Sequence, residues 1–539
     1  MEVTEYKEEK RSLFLHNYIE QKEDVRSFYN YALDEAAYRQ RYQDITEQTD
    51  TREHLINCML DYHRSLTDTK AVYDNIEKLR DPKTVVVIGG QQAGLLTGPL
   101  LTIYKIMTII LDAKQKSEHL NVPVVPVFWI AGEDHDFDEI NHVFVESLDG
   151  MKKKAWKTKG IQKPSMSQKK LNHDEMENWI EDIFVSFGET QHTVSLLNLV
   201  KHHLKQSETV SDFFAHLIMA FFAKYGLILY DSGSPLFKPL CVPFFAQLIE
   251  NVEAVQKHFM LGTEKLEQAG YQKAVVTSKT SAHLFYYYKG SRMMLEYEAD
   301  LFFIKNTDFS CTKEELLVLL KNNPEHFSNN VVTRPLMQEF LFPCLSFVAG
   351  PGELVYWAQI HPLFSLFQMK MPIVRPRMGI TLLERNVLSY LDMFSLEVKD
   401  VFTSVYQDKK ENLLRELTGH DIKKEMSSFY DQFSSFHQQL TQYVETIEPA
   451  YHDMMQKNYL ILQDEIQFVE KKLRLRMEER ISVERNRLRK IEHHLYPDGI
   501  LQERIWNVFY FINRYGLDFV DHLMKLRYSD QFYHYFVKI

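Results

Sequence analysis

Short apolar runs that stop at polar or glycine-rich turns recur along the first 380 residues of this chain. The clearest is Thr84–Ile88, a β-branched run that ends at Gly89-Gly90, before a polar turn and a long apolar segment. Four further runs show the same pattern: Val122–Ile130, Gly226–Asp231, Leu345–Ala349 and Pro372–Arg377. Strands of a parallel sheet are apolar throughout, and the turns at their carboxyl ends share one edge. The pattern therefore predicts an α/β fold with one parallel sheet whose functional turns lie together.

The segments around these runs have other patterns. Residues 1–80 contain few glycines or prolines and predict helices. Pro123 and Pro126 predict that the second run is an edge strand or the start of a strand. Insertions are predicted at about residues 150–205 and 270–330: the first is lysine-rich over Lys152–Gln168, and the second alternates as antiparallel strands do. We assign catalytic chemistry to neither insertion.

Beyond residue 385 the apolar positions recur every three or four residues. This spacing, typical of a coiled coil or helical hairpin, connects Phe429, Phe433, Phe436, Leu440, Tyr443 and Ile447, and after Pro449 it resumes at Tyr459, Leu462, Ile466, Val469 and Leu473. A helix from Ala450 to Leu495 would be on the order of 70 Å long. Such a rod usually packs against a partner, so we expect a homodimer. The basic run Lys471–Lys490 predicts a solvated helix face, with nucleic acid or polyanion contact as the alternative.

These patterns predict four parts. Residues 1–80 form an N-terminal helical segment that packs on the core, and residues 81–385 form the core with its two insertions. Residues 386–500 form the coiled coil, and residues 501–539 form a helical segment that packs back on the core.

Composition narrows the class of protein. A chain of 539 residues exceeds the size of a single core, and its net charge of −11 gives no global reason to expect nucleic acid binding. The four cysteines lie far apart without a CxxC pair, which predicts reduced thiols and no zinc cage. No apolar run approaches the roughly 20 residues of a membrane span, and the charged N-terminus differs from a signal peptide. We therefore expect a cytoplasmic protein.

The glycine-rich turn after the first run is the first candidate site. It matches neither a Walker A motif, because Leu95 stands where the lysine would be, nor a dinucleotide fingerprint. Backbone N–H groups and polar side chains of the turn would hold a phosphate or carboxylate, and the following helix would direct its positive end at that anion. The candidate binding residues are Gly89, Gly90, Gln91, Gln92, Gly94, Thr97 and Gly98. The alternative is a tight turn that needs glycine for its geometry alone.

The second candidate is the densest titratable cluster of the chain. It comprises Glu133, Asp134, His135, Asp136, Asp138, Glu139, Asn141 and His142, directly after the second run. An imidazole between carboxylates suits a general base. The same groups suit a divalent metal, or sugar hydroxyls and an amine, but the H-E-x-x-H spacing of a zinc site is missing, so we predict no metal ligands. A solvated acidic turn is the alternative.

Two more turns carry candidate residues. The turn after the fourth run supplies Gly350, Gly352 and Glu353, and it leads into Tyr356 and Gln359. Arg375 and Arg377 suit a bound carboxylate or phosphate, although structural ion pairs are the commoner role of such arginines. The turn that contains Tyr496 and Gly499, with Gln502 and Arg504 after it, reads first as a helix reversal and second as a further ligand site.

Four of these stretches together resemble the cysteine ligase family of bacillithiol biosynthesis, the BshC family. They are GGQQAGLLTGP (89–99), FWIAGEDHDFDEINH (128–142), FPCLSFVAGPGELVYWAQ (342–359) and LYPDGILQER (495–504), and together they span most of the chain in order. The resemblance implies a Rossmann-like core similar to class I nucleotidyltransferases, two connecting-peptide insertions, and an α-helical coiled coil that forms a homodimer. It also implies a ligase that joins L-cysteine to glucosaminyl-malate through an amide.

Amide formation from a free carboxylate needs activation, so we expect ATP, with Mg²⁺ if a metal is used, and an acyl-adenylate or acyl-phosphate. In this hypothesis Asp134, His135 and Asp136 are catalytic: His135 accepts the proton of the sugar amine, and the two aspartates orient the amine or the hydroxyls. Arg377 and Gln359 complete the pocket. Two alternatives stay open: an aminoacyl- or nucleotidyl-transferring enzyme that acts on RNA, and a non-catalytic nucleotide-binding scaffold for the rod.

Overall fold

The structure is a computed structural model that describes all residues except 7–11, 46–48, 148–149, 158–162, 419–421, 481 and 530–533. The chain forms two compact units. The first comprises Met1–Thr381 and Glu503–Val537, and the second comprises Leu382–Gln502 and Lys538–Ile539. The finer division into four parts stays a prediction.

The first unit alternates helices and strands. From the N-terminus the elements are β1 (Glu2–Tyr6), α1 (Leu13–Ile19), α2 (Glu23–Arg26), α3 (Glu35–Asp44), α4 (Thr49–Arg64), α5 (Lys70–Lys78), β2 (Val85–Gln91), α6 (Leu100–Leu120), β3 (Val124–Ile130), α7 (Phe137–Ile140), β4 (His142–Ser147), β5 (Gly150–Ala155), α8 (His173–Phe187), α9 (Thr193–Lys205), α10 (Val210–Phe222), β6 (Ile228–Asp231), α11 (Lys238–Glu250), α12 (Val252–Gln268), β7 (Ser281–Tyr288), β8 (Ser291–Glu298), β9 (Leu301–Phe303), β10 (Ser310–Cys311), α13 (Lys313–Asn322), β11 (Phe327–Asn329), α14 (Arg334–Leu341), β12 (Cys344–Ala349), α15 (Pro351–Leu366), β13 (Ile373–Pro376) and β14 (Gly379–Leu383), within which the chain enters the second unit.

The predicted parallel sheet is confirmed. Five strands lie in the order β13-β12-β2-β3-β6, and each paired neighbour runs parallel. These five strands are the five apolar runs of the sequence. Their residues are buried throughout, except Gln91 at the end of β2, as expected for strands covered on both faces. The Rossmann-like fold class is therefore correct.

The first strand is longer than expected, because it continues through both glycines to Gln91. Gly89 and Gly90 are extended, and their lack of a side chain matters for close packing. A Cβ on Gly90 would lie 2.8 Å from the Trp129 carbonyl oxygen, and one on Gly89 would lie 3.0 Å from that of Val348. The expected left-handed turn residues come later, at Leu96, Thr97 and Gly98, with φ of 48°, 67° and 70°.

Of the two readings of the second run, the edge strand is wrong, because β3 lies between β2 and β6, whereas Pro123 directly precedes the first residue of β3, as the strand-start reading predicts. Pro126 is tolerated there because β6 pairs with β3 only from Val127, opposite Ile228, so the proline precedes the paired stretch on that side. Helix α6 follows the glycine turn as expected. Its first N–H group, however, donates to the carbonyl of Trp506 at 2.8 Å, so that donor is not available to a ligand.

Both predicted insertions contain regular structure. The first holds the antiparallel hairpin β4–β5, followed by α8 and α9. The second holds an antiparallel sheet in the order β10-β9-β8-β7-β11, as its alternating pattern predicts. Part of the lysine-rich stretch, residues 158–162, lies outside the described residues.

The second unit is helical. Its elements are α16 (Arg385–Met393), α17 (Ser404–Thr418), α18 (Ile422–Ile447), α19 (His452–Arg480) and α20 (Ser482–Leu495). The chain then continues through α21 (Gln502–Ile505), α22 (Val508–Tyr515), α23 (Phe519–Met524) and β15 (His534–Lys538), which pairs in a small sheet of order β1-β15-β14. The stretch predicted as one helix from Ala450 to Leu495 contains α19 and α20, and residue 481 between them is outside the described range.

The predicted apolar row of α18 forms one stripe along the helix and is only partly buried. At its edge towards α19, Phe433 stacks on Tyr459, with ring centroids 5.4 Å apart, and His437 Nε2 lies 3.1 Å from Asn458 Oδ1. The other five residues of the row stay exposed: Phe429, Phe436, Leu440, Tyr443 and Ile447. The hairpin therefore buries one edge of the stripe and leaves the rest to solvent.

No helix among the described residues is both long enough and apolar enough to cross a lipid bilayer.

Candidate active site

The carboxyl ends of four parallel strands surround a cavity of about 710 Å³ in the first unit, which we name the core cavity. The turn after β2 supplies Gln91 and Gln92 from its end, and the turn after β3 supplies Glu133–Asp136. The turns after β12 and β13 supply Gly350–Glu353 and Arg377 to the same wall region. The antiparallel insertion closes another side with Phe285, Arg292 and Met294. The sheet topology thus brings the separate turns together, as expected for the carboxyl edge of a parallel sheet.

Asp134 organises the turn after β3. Its Oδ1 accepts hydrogen bonds from the backbone N–H groups of His135 at 2.7 Å and Asp136 at 3.2 Å, and its Oδ2 accepts from Gln92 Nε2 at 2.7 Å. Burial alone would raise the pKa of Asp134, but Gln92 and the charge of Arg292 outweigh it and hold that pKa below its ordinary value. Asp134 is therefore ionised, and its oxygens are already engaged by the protein.

His135 is paired with a cation. Arg292 Nη1 lies 3.0 Å from His135 Nδ1, and because arginine can only donate, Nδ1 is the acceptor. Burial and the charge of Arg292 both lower the pKa of His135, so the ring is neutral at pH 7 and carries its proton on Nε2. In this arrangement the ring presents a donor to the cavity, which does not favour the predicted role of proton acceptor.

Arg292 is itself held in place. Its Nε donates to Ser328 Oγ at 2.8 Å, its Nη2 donates to the Asn329 carbonyl at 2.5 Å, and its guanidinium lies 3.7 Å from the centre of the Phe285 ring. All of these contacts belong to the antiparallel insertion, so that insertion contributes directly to the site.

Glu133 lies deepest in the acidic turn and is 5% exposed. Its Oε2 accepts a hydrogen bond from the Asn329 N–H at 3.2 Å and lies 3.7 Å from Lys238 Nζ. Burial raises the pKa of Glu133, and the nearby charges of Lys238 and Arg292 only partly oppose this rise.

A buried lysine joins two of the turns. Lys105 of α6 is 1% exposed, and its ammonium donates to the Gly90 carbonyl at 2.7 Å, to Gln91 Oε1 at 3.2 Å and to Glu353. Glu353 Oε2 also accepts from the Gly350 N–H at 2.7 Å, which caps α15. Burial works to raise the pKa of Glu353, but Lys105 and Arg334 outweigh it and keep the carboxylate ionised.

Three arginines differ in how far the protein satisfies them. Arg377 makes a two-pronged pair with Glu503, at 2.8 and 2.5 Å, and is 7% exposed. Arg334 donates to Tyr356 Oη and lies 4.0 Å from Glu353. Arg504 is exposed, and the described residues give its guanidinium no ion-pair partner. Positive charge for an anionic ligand therefore comes chiefly from Arg504 and Arg334.

A smaller cavity of about 140 Å³, the side pocket, adjoins the core cavity and shares Gln91, Gln92, Glu139 and Arg504 with it. Gly94, Gly98 and His142 also line it. Asn507 orders this part of the glycine turn, because its amide donates to the carbonyls of Leu96 and Gly98, each at 2.8 Å. Burial lowers the pKa of His142 to about 4, so this imidazole is neutral.

Comparisons with known proteins add the lineage. Residues 1–378 match the family model described as "Bacillithiol biosynthesis BshC, N-terminal Rossmann-like domain", and residues 380–539 match "Bacillithiol biosynthesis BshC, C-terminal coiled-coil domain". The chain belongs to the BshC family.

Similar relatives carry the name "Putative cysteine ligase BshC". One from Bacillus cereus (strain ZK / E33L) is 40% identical over 523 residues, which is 97% of this chain and 97% of the relative. Another, from Bacillus thuringiensis (strain Al Hakam), is 39% identical with the same coverage. The resemblance stated from the four sequence stretches is therefore confirmed, and the relatives' name agrees with the predicted enzyme class, a ligase.

Most of the predicted site residues of this BshC-family chain line one of the two cavities. The core cavity receives Gly90, Gln91, Gln92, Glu133, Asp134, His135, Asp136, Gly350, Gly352, Glu353, Tyr356, Arg377 and Arg504, and the side pocket receives Gly94, Gly98 and His142. Seven others do not line either cavity: Gly89, Thr97, Asn141, Gln359, Tyr496, Gly499 and Gln502. The first four are buried in the fold, and the last three belong to the second unit.

Gln359 has a supporting role instead. Its Oε1 accepts from the N–H groups of Ala274 and Val275 at 3.2 and 3.0 Å, and its Nε2 donates to the Val275 carbonyl and to Thr263 Oγ1, both at 2.9 Å. Val275 and the exposed Val276 line the core cavity. Gln359 therefore fixes the backbone of one cavity wall from behind.

The residues predicted as a second site divide between the units. Tyr496, Gly499 and Gln502 belong to the second unit, whereas Arg504 belongs to the first. Gln502 is buried, and its amide exchanges hydrogen bonds with Leu382, with its Oε1 accepting at 2.8 Å and its Nε2 donating at 2.9 Å. Gly499, with φ of 76°, lies in the turn that ends the long helices, which agrees with a helix reversal.

Three cavity residues were missed from the sequence. Lys105 is a lone cation within the apolar segment of α6, and that position was the available signal. Arg292 and Arg334 gave no local signal, since each depends on contacts made across the fold. Within the described residues, no three His, Cys, Asp or Glu side chains are placed to hold a metal ion.

Proposed function

We propose that this chain joins L-cysteine to the amine of glucosaminyl-malate by an amide bond in bacillithiol biosynthesis. The observation that carries the proposal is the core cavity, which places a buried carboxyl group, a neutral imidazole and unsatisfied arginine donors around one space. These groups suit a substrate that has an amine, hydroxyls and carboxylates. The name of the relatives, which match nearly the whole chain, supports the choice of cysteine as the second substrate.

The positive groups suit the carboxylates of the two substrates. Arg504 has no ion-pair partner among the described residues, and Arg334 donates to Gln338 Oε1 at 3.3 Å and to Tyr356 while its nearest carboxylate, Glu353, is 4.0 Å away. Guanidinium groups bind carboxylates through paired hydrogen bonds. Arg377 contributes less positive charge, because both Nη atoms of its guanidinium already donate to the Glu503 carboxylate. We therefore assign the malate carboxylates to the side of the core cavity near Arg504.

The acidic groups suit the sugar amine. Asp136 is exposed at the cavity, and Glu133 is buried beside it in sequence. A carboxylate attracts the ammonium form and orients the amine. His135, with its proton on Nε2, suits a hydrogen bond to a hydroxyl or carbonyl oxygen of a substrate.

The proposal includes ATP as the cosubstrate, with Mg²⁺ as its counterion. A volume of about 710 Å³ lies within the roughly 300–1,000 Å³ of small-molecule sites. Gly352 leaves backbone open at the cavity, because a Cβ there would meet nothing within 4 Å. When bound, ATP would supply the activation of the cysteine carboxylate. Gln91, Gln92 and Arg334 are the residues of this chain placed to hold its phosphates.

A second copy of the chain completes the proposal. The exposed face of α18 carries Phe436, Tyr443 and Ile447 at 65%, 65% and 68% exposure, on the three-and-four spacing of a coiled-coil seam. Such a row of large apolar side chains is expected to pack against an equivalent row. We assign the homodimer contact to this face and the site of action to the cytoplasm, where cysteine stays reduced.

Mass spectrometry of a reconstituted reaction tests the function. Purified protein is incubated with L-cysteine, glucosaminyl-malate and ATP-Mg²⁺, and the expected product is the amide-linked thiol. Omitting the nucleotide should abolish the product, and an undiminished rate without it would contradict the activation step. Serine in place of cysteine is the matched control for the substrate. A salt-dependent titration with RNA and calorimetry with nucleotide test the RNA-enzyme and scaffold alternatives.

A further inference from the structure

The geometry points to Glu133 as the general base of the reaction, and to His135 as a hydrogen-bond donor that cannot fill that role. This inference rests on the proposed function, because it assigns the group that accepts the proton of the sugar amine. The sequence leaves open which group of the acidic turn accepts the proton and which donates a hydrogen bond.

The two oxygens of Glu133 have different surroundings. Oε2 is fixed by the Asn329 N–H at 3.2 Å and lies 3.7 Å from Lys238 Nζ. Oε1 has no hydrogen-bond donor among the described residues, and the side chain lines the core cavity while only 5% exposed. One oxygen therefore anchors the carboxyl group, and the other is left to accept a proton from a ligand.

The other titratable groups at the cavity are less suited. Both oxygens of Asp134 already accept hydrogen bonds from the protein. Glu353 accepts from Lys105 and from the Gly350 N–H. Asp136 is exposed to water, unlike the buried Glu133. His135 uses Nδ1 to accept from Arg292, so its remaining nitrogen carries a proton.

The charges around Glu133 come from several elements. Lys238 of α11, Arg292 of β8 and Arg334 of α14 face it with positive charge, and the neutral phenol of Tyr230 lies on β6. Despite these cations, burial raises the pKa of Glu133 above the ordinary value of a glutamate, which strengthens it as a base.

Amide formation moves one proton from the substrate amine to the enzyme. The amine nitrogen of glucosaminyl-malate attacks the activated carboxyl carbon of cysteine, and a C–N bond forms. The C–O bond to the leaving group breaks, and its electron pair departs with the leaving oxygen. The proton lost by the nitrogen passes to Glu133 Oε1, and it is later released to solvent. His135 Nε2–H donates to an oxygen of the reacting group and keeps its proton throughout.

Two substitutions separate the roles. Glu133→Gln keeps the size and the acceptor for the Asn329 N–H but removes the base, and we expect kcat to fall about 100-fold to 1,000-fold with KM little changed. His135→Gln keeps an N–H donor at a similar reach but removes the imidazole, and we expect a loss of no more than about tenfold. Thermal unfolding of both variants checks that they fold, and Glu133→Asp, which retains a displaced base, should fall between them.

The pH profile and a binding measurement provide independent readouts. In the wild type and in His135→Gln, kcat/KM should rise with two ionisations, those of Glu133 and of the substrate amine, whereas Glu133→Gln should keep only the second. Calorimetry without nucleotide, in buffers of different ionisation heat, should detect protons released at acidic pH when the ammonium substrate binds beside Glu133. That release should persist in His135→Gln and disappear in Glu133→Gln.

The outcomes distinguish the two levels of the account. If the wild type forms no amide, the proposed function fails and takes this inference with it. If the wild type forms the amide but Glu133→Gln retains its rate and both ionisations, only the assignment of Glu133 fails. If the ionisation assigned to Glu133 disappears from the pH profile of His135→Gln but persists in that of Glu133→Gln, the general base is the His135 imidazole and the assignment is overturned.

Discussion

The buried pair of Arg377 and Glu503 gives the sharpest test of the packing around the core cavity. Its two hydrogen bonds, of 2.8 and 2.5 Å, join side chains that are 3% and 4% exposed. Glu503→Gln retains the shape and one acceptor but leaves a buried guanidinium without its counter-charge. Removing one partner of a buried pair typically costs about 3–5 kcal/mol, and we expect the lower end because Arg377 also donates to the Met378 carbonyl at 2.8 Å.

Urea unfolding followed by tryptophan fluorescence measures this loss. All five tryptophans lie in the first unit, so the signal reports on the unit that contains the pair. Asp74→Asn, at the exposed pair with Lys70, is the matched control and should leave the midpoint unchanged. A double variant, Arg377→Met with Glu503→Leu, should recover much of the loss, since a well-packed apolar pair can replace a buried ion pair.

The pH dependence of this difference has a definite sign. Burial works to raise the pKa of Glu503, but Arg377 outweighs it and holds that pKa below the ordinary value. The stabilisation is therefore full above the ordinary glutamate pKa and is lost as the pH falls through the lowered value. The difference in the free energy of unfolding between the wild type and Glu503→Gln should therefore decrease at acidic pH. Equal unfolding midpoints at pH 7 would refute the argument.

Three further outcomes are expected. Gln359→Leu should raise KM about tenfold and speed amide hydrogen exchange at Val275, because a buried hydrogen-bond network worth about 1–3 kcal/mol is lost; unchanged exchange would contradict this. Burial raises the pKa of Asp231 to about 6, so this carboxyl group should lower the free energy of unfolding as the pH rises from about 4 to about 6, and Asp231→Asn should flatten that slope in urea titrations. Phe436→Glu should halve the particle mass measured by light scattering, because it places a charge in the α18 seam, whereas Gln438→Glu, at an exposed polar position on the opposite side of the helix, should leave the mass unchanged.

The parallel sheet could be predicted because its strands are buried on both faces and therefore read as continuous apolar runs. For β3 the prolines left an edge strand or a strand start open: Pro123 does precede the strand, but the edge position is wrong. Pro126 is tolerated inside the sheet because it precedes the stretch where β6 pairs, and that register cannot be read from a single run. The glycines of β2 were predicted as binding residues, but their packing against Trp129 and Val348 depends on neighbouring strands far along the chain, and Gly89 lines neither cavity.

The location of the candidate site could be predicted from the sequence better than the roles of its individual side chains. Turns that follow parallel strands meet at one edge, so the acidic turn and the glycine turn were expected to share a cavity. Arg292 is 157 residues from His135, and no local pattern foretells that contact, which decides the proton position on the imidazole. Gln359 was expected to touch a ligand, but its amide is fully used by Thr263 and the backbone of Ala274–Val275.

The three-and-four spacing of apolar residues predicts the helices of the second unit but not which of those side chains become buried. In the predicted row of α18, Phe433 packs on α19, whereas Phe436 is exposed. Only the packing of α19 shows which side chains of the row stay exposed.

A structure with glucosaminyl-malate bound tests the central claim most directly. The account predicts the ligand in the core cavity, with its amine within hydrogen-bond distance of Glu133 Oε1 and a carboxylate on Arg504 or Arg334. A ligand seated outside the core cavity, with these three side chains unchanged, would contradict it.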